Sequence, residues 1–274
     1  MNTRTVFLAG VTLLAIALAL FLPAMPQPLA YHDFADKREA YGIENFLDVT
    51  SNLAFVLAGL AGLAALMRPR TCFAGAAERW PYLVFFVGLL LTGAGSCYYH
   101  LEPNNESLFW DRLPMTISFM SLIAAQIVDR VDARTGLLAL VPMLLVGIGT
   151  AVYWIVTERL GRGNVVPYGV LQAYSVVVLL QLTATHPSRY THGNAMYAVF
   201  ACYLLAKGFE HFDRQILELT GVVSGHTLKH VAAGIAGLPV AYMLWQRRLV
   251  ASVAPVAGSA AAFGQAAQAA ASPR

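Results

Sequence analysis

The sequence predicts an all-α, polytopic membrane protein, a bundle of spanning helices with its few polar groups held inside. Three observations carry this. Of 274 residues, 58% are hydrophobic and only 12% are charged, against about 25% charged in a soluble domain. The mean hydropathy is +0.59. Apolar runs of membrane-spanning length, about 20 residues, recur too often to be buried helices of a soluble core. The net charge of +3 is small and dispersed, which excludes a nucleic-acid footprint. Cys72, Cys97 and Cys202 stand apart with no CxxC pair and read as small apolar fillers.

Eight stretches qualify as spans, at roughly 5–22, 49–67, 81–100, 113–129, 136–157, 166–185, 194–207 and 226–246. The first follows Arg4 and exits through Pro-Ala-Met-Pro-Gln-Pro. A cleaved signal peptide and a retained helix both fit, and the length of the apolar run favours the helix. Residues 1–30 are therefore expected to form an N-terminal helix or signal anchor, ahead of a membrane domain over 31–250. The acidic loop 31–48 joins spans one and two. Span three ends at His100, and Pro103-Asn104-Asn105 makes a turn. Asp111 and Arg112 precede span four. The short seventh span leads to Glu210 and Asp213, and the eighth opens on His226-Thr227-Leu228-Lys229-His230. The Ala/Ser/Gly/Pro-biased stretch 251–274 reads as a disordered tail.

Arginines at 68, 70 and 79 in one loop and at 247 and 248 after the last span place the N-terminus inside. Between His100 and His226 lie four spans, an even number, so both face one side. The loop 31–48 faces it too, and the arginine bias makes it the outer side.

Ionisable groups within spans cost about 2.5–3.5 kcal/mol each on insertion scales and are functional suspects. Ser96 and His100 are four apart and share a helix face, as do His226 and His230. Three histidines on two helical pieces can hold a zinc ion and leave its fourth position open to water. Asp111 fits two roles, orienting a histidine or moving the water's proton. Ser96 fits an oxyanion donor or a helix serine bonded to its own backbone. The oxygen donors of 31–48 suit a hard cation such as calcium, or simply a solvated charged loop. Asn52, Glu210 and Asp213 are further buried-polar candidates. His32, His186, His192 and His211 lack an i, i+4 partner and read as loop or interface residues.

Together these residues resemble the alkaline ceramidase family of membrane hydrolases, within the superfamily that includes adiponectin-receptor-like proteins. The resemblance spans about 31–246 and rests on several pieces. These are Asp33-Phe34-Ala35-Asp36, Asn45 to Asn52, Gly95-Ser96 with His100, Asp111-Arg112-Leu113-Pro114-Met115, Asp213, and His226 with His230. It implies a seven-helix core, here with one extra N-terminal helix as in a bacterial-type member. It implies zinc on His100, His226 and His230, with Asp111 and Ser96 catalytic. It also implies calcium on Asp33, Phe34 (through its backbone), Asp36 and Asn45. The calcium pattern departs at two places: Arg38 falls near an expected neutral ligand, and Asn45 replaces a glutamate. The implied activity is hydrolysis of a ceramide-like membrane lipid amide to a fatty acid and a long-chain base. The implied location is a bacterial inner membrane with the zinc site outward. The rival class is a receptor-like or regulatory protein with a structural zinc closed by a fourth ligand. A transporter would show paired repeats, and none stands out.

Overall fold

The computed structural model describes residues 3–250, so the tail expected over 251–274 lies outside the described residues. Regular structure among them is helical, apart from two isolated β-bridges, Ala40–Ile43 and Tyr190–Leu249. In chain order the helices are α1 (Thr3–Phe21), α2 (Phe46–Thr50), α3 (Leu53–Met67), α4 (Trp80–Leu101), α5 (Asn105–Arg130) and α6 (Ala133–Arg159). Then come α7 (Val166–Thr185), α8 (Met196–His211), α9 (Asp213–Thr220), α10 (Gly225–Ile235) and α11 (Gly237–Gln246). Among the described residues, five segments are long and apolar enough to cross a membrane: Phe46–Met67, Ala76–Leu101, Ala133–Arg159, Val166–Thr185 and Gly225–Gln246. The chain is a helical membrane bundle.

Its boundaries have local causes. α5 begins eight residues before the expected span. The Asn104 side chain accepts from the Ser107 backbone N–H at 2.9 Å, and the Ser107 hydroxyl accepts from the Asn104 N–H at 3.1 Å. This reciprocal cap starts the helix in a polar stretch. Asp111 therefore sits on a helix and not in a connecting loop. The second span is broken at Ser51-Asn52, where both side chains bond the Asp48 carbonyl, Asn52 at 2.8 Å and so compete with the backbone ladder. The last span is broken at Ala236. Pro239 has no N–H to bond the carbonyl four residues back, and its ring crowds it.

The bundle is inside-out relative to a soluble protein. Leu13, Leu60, Leu138, Leu145 and Leu204 are among the exposed apolar side chains, as a lipid-facing surface requires. The main core gathers Phe55, Tyr82, Phe86, Met120, Leu182, Met196 and Leu244 from α3, α4, α5, α7, α8 and α11. A smaller one, Phe34, Tyr99, Leu108, Trp154 and Ile155, lies near the histidine end. The opposite end closes with a polar network in which Asp129 accepts from Tyr82 (2.6 Å) and from Arg247 (2.8 Å). Polar groups in hydrocarbon must be satisfied internally, and here Tyr82 and Arg247 together satisfy the buried Asp129 carboxylate.

α4 packs closely along α5. A Cβ at Gly95 would lie 2.0 Å from the Trp110 carbonyl oxygen, so only glycine allows this approach. It brings the Ser96 turn of α4 beside Asp111 of α5.

Candidate metal centre and its cavity

His100 ends α4, and His226 and His230 lie one turn apart near the start of α10. Each offers a ring nitrogen within 4.8 Å of the others, and all three residues are buried. The Nε2 atoms of His100 and His226 are 3.3 Å apart. Two nitrogens bound tetrahedrally at 2.0–2.1 Å from one zinc ion lie about 3.4 Å apart. The Lys229 ammonium lies 3.1 Å from His226 Nε2. The donor set, its spacing and its burial fit a zinc ion.

The histidines are held by groups from distant segments. The Ser51 hydroxyl meets His230 Nδ1 at 2.9 Å, which leaves Nε2 to face the cluster. Asp48 is fully buried and accepts from the Thr227 hydroxyl at 2.6 Å, while the Ser224 side chain caps α10 by accepting from the Thr227 N–H at 3.0 Å. Asp213 ties three segments together. Its Oδ1 accepts from the His226 N–H at 2.7 Å and its Oδ2 from the Ala35 N–H at 3.1 Å. The Phe34 ring covers the cluster, with its centroid 4.5 Å from those of both His100 and His226. The sequence pointed to Ser51 and Asp48 only as parts of a motif. It gave no sign of what Phe34, Thr227 or Lys229 touch.

Replacing Ser51 by alanine is expected to free the His230 ring and weaken metal binding by roughly 10- to 100-fold, the usual effect of losing such an outer partner. Metal titration with a competing chelator measures it, and unchanged affinity would mean that the hydroxyl does not orient the ring.

Ser96 of α4 and Asp111 of α5 line one cavity together with His230, where Gly95 lets the two helices close up. Asp111 is half-buried because it lines a cavity. That cavity, about 550 Å³, is mostly apolar and is bounded by Ser96, Asp111 and His230 together with Phe55, Leu89, Met115 and Leu122. The Asp111 carboxylate falls outside the group of histidine nitrogens. No salt bridge between Asp111 and Arg112 occurs among the described residues, where Arg112 faces aromatic rings instead. Asn52 is buried and bonds its own helix turn, and Glu210 pairs with Lys207 at 2.6 Å and Lys229 at 3.4 Å.

The four residues expected to bind calcium take other partners. Asp33 is exposed and paired with Lys37. Asp36 is buried, but the Arg38 guanidinium occupies both its oxygens, at 2.8 and 2.6 Å. That pairing holds the Asp36 carboxyl below the usual carboxylate range. The Asn45 amide donates to the His100 carbonyl at 2.9 Å, and Phe34 covers the histidines. Both carboxylates of the set are thus paired with basic side chains, so the calcium expectation finds no support. The physical reason is Arg38, whose fixed charge already neutralises the one buried carboxylate of the set. Asp36→Asn is expected to lower the melting temperature, since it breaks a two-point charged contact, while added calcium leaves the wild-type midpoint unmoved. A calcium-dependent rise in the wild-type midpoint would restore the calcium site.

A sequence model of a protein family, described as Ceramidase, matches residues 40–250. No curated protein matches the chain.

Proposed function

The chain belongs to the ceramidase family, and from that premise we propose that it is a zinc-dependent membrane hydrolase cleaving the amide bond of a ceramide-like lipid. The observation that carries this is the meeting of Ser96, Asp111 and His230, one of the three clustered histidines, at the wall of one apolar cavity. His100, His226 and His230 would hold the zinc ion. Bound there, zinc supplies a Lewis acid and brings the pKa of a coordinated water to about 7.

The chain's own groups do the rest. Asp111 takes a proton from the attacking water as the oxygen–carbon bond forms, and returns it to the nitrogen as the carbon–nitrogen bond breaks. Ser96 donates a hydrogen bond to the carbonyl oxygen as negative charge grows there. The apolar cavity wall takes the chains and excludes bulk water, which strengthens both interactions. The products are a fatty acid and a long-chain base. A lipid can enter sideways from the bilayer, and on the arginine count the histidine end faces outward, in a bacterial inner membrane. The competing role, a closed structural zinc with Asp111 as fourth ligand, is disfavoured because that carboxylate lies outside the histidine group.

The test is metal analysis of protein purified without chelators, combined with mass spectrometry of fatty acid released from ceramide in liposomes. Stoichiometric zinc and fatty-acid release are expected. Zinc without release from any lipid amide would favour the receptor-like role.

A further inference from the structure

Building on that lipid-amide assignment, we propose that the cavity selects a lipid amide whose head carries a negative charge, and that Arg112 is the side chain that binds it. Arg112 is only 6% exposed and lines the cavity. Its Nη1 is buried without a hydrogen-bond partner, and no ion pair of Arg112 occurs among the described residues. The guanidinium carbon lies 5.2, 4.3 and 4.9 Å from the ring centroids of Tyr31, Trp154 and Tyr168. Those rings attract the cation, but none of their residues accepts a hydrogen bond from its buried Nη1. A buried charge with neither counter-ion nor acceptor is costly. An incoming oxyanion would supply both at once, in the planar two-point manner that guanidinium favours.

The lining as a whole carries a net positive charge: three cations, Arg112, Lys207 and Lys229, face two carboxylates, Asp111 and Glu210. Both lysines are paired with Glu210, whereas Arg112 makes no ion pair among the described residues. Its position also suits a head group. It is the chain neighbour of Asp111, and in a ceramide-like lipid the head oxygen and the amide nitrogen sit on adjacent carbons. A head charge close to the scissile amide is therefore within the reach of a residue next to the proton carrier.

The experiment is competition binding to the full-length protein in phosphatidylcholine nanodiscs, using a fluorescent N-acyl long-chain base as probe. Two unlabelled competitors differ only at the head, one with a free hydroxyl and one with a phosphate monoester there. The phosphate-bearing lipid is expected to displace the probe roughly 10- to 100-fold more effectively, the range of a charge-assisted hydrogen bond. Arg112→Met should collapse that ratio to about one, and Arg112→Lys should restore part of it by returning the charge. Equal competition by the two lipids at wild type, or a ratio that survives Arg112→Met, overturns the proposal. A short, chain-free phosphate monoester should not displace the probe. If it matches the lipid, the site reads free anions and the lipid assignment falls. Displacement needs no turnover, so failure of amide hydrolysis is read separately, from fatty-acid release by the same preparation.

Discussion

His100→Ala is expected to lose bound zinc almost completely and, with it, amide hydrolysis. One of three buried imidazoles goes, and the nitrogen 3.3 Å from it on His226 is left to bind a cation with His230 alone. The loss should exceed the roughly 10- to 100-fold expected of an outer partner such as Ser51, because a ligand itself is removed. Truncating a buried ring also opens a hole beside Phe34, whose centroid is 4.5 Å away, and this costs stability on its own. His100→Gln separates the two effects by keeping most of the volume without the imidazole. Metal content by elemental mass spectrometry and melting temperature are measured together. A folded His100→Gln protein with stoichiometric zinc would show that the three histidines are not the metal site.

Asp111→Asn should behave in the opposite way towards metal. The carboxylate is outside the histidine group, so the variant is expected to keep most of its zinc. It keeps the shape of the side chain but loses the base. Hydrolysis should fall by roughly 10²–10⁴-fold, the usual contribution of general acid–base catalysis. Ser96→Ala should also keep its zinc and lose about 10²–10³-fold, as for a single oxyanion donor. Loss of zinc in Asp111→Asn would make the aspartate a ligand and the site closed, in favour of a structural metal.

Much of this centre was legible along the chain because its signals are local. Ser96 with His100, and His226 with His230, are i, i+4 pairs, and the helix period alone puts each pair on one face. Counting spans brought the two pairs to one end of the bundle. Boundaries were harder where the cause was a side chain and not hydropathy. The reciprocal cap of Asn104 and Ser107 begins α5 well ahead of its apolar stretch. Its serine at the third helical position lacks the usual Glu or Gln signature. The short amphipathic α9 and the breaks after Thr50 and Ile235 were missed for the same reason.

The residues of the acidic loop show the limit most clearly. Their composition allowed a cation site, and the alternatives differed only in what each side chain touched. That Arg38 closes on Asp36, that Asn45 reaches the His100 carbonyl, and that Phe34 covers two imidazoles are contacts between segments. The same holds for Ser51 against His230, 179 positions apart, and for the aromatic cage around Arg112.

The sequence by itself determined the environment, the helices and the faces of the histidine pairs, because hydropathy and helical period depend only on residues close in the chain. Only the tertiary structure decided which groups orient the histidines, which carboxylate is neutralised and that the buried Arg112 makes no ion pair among the described residues. Those depend on how closely helices approach, as where Gly95 admits the Trp110 backbone, and packing of that kind is set by side chains far apart in sequence.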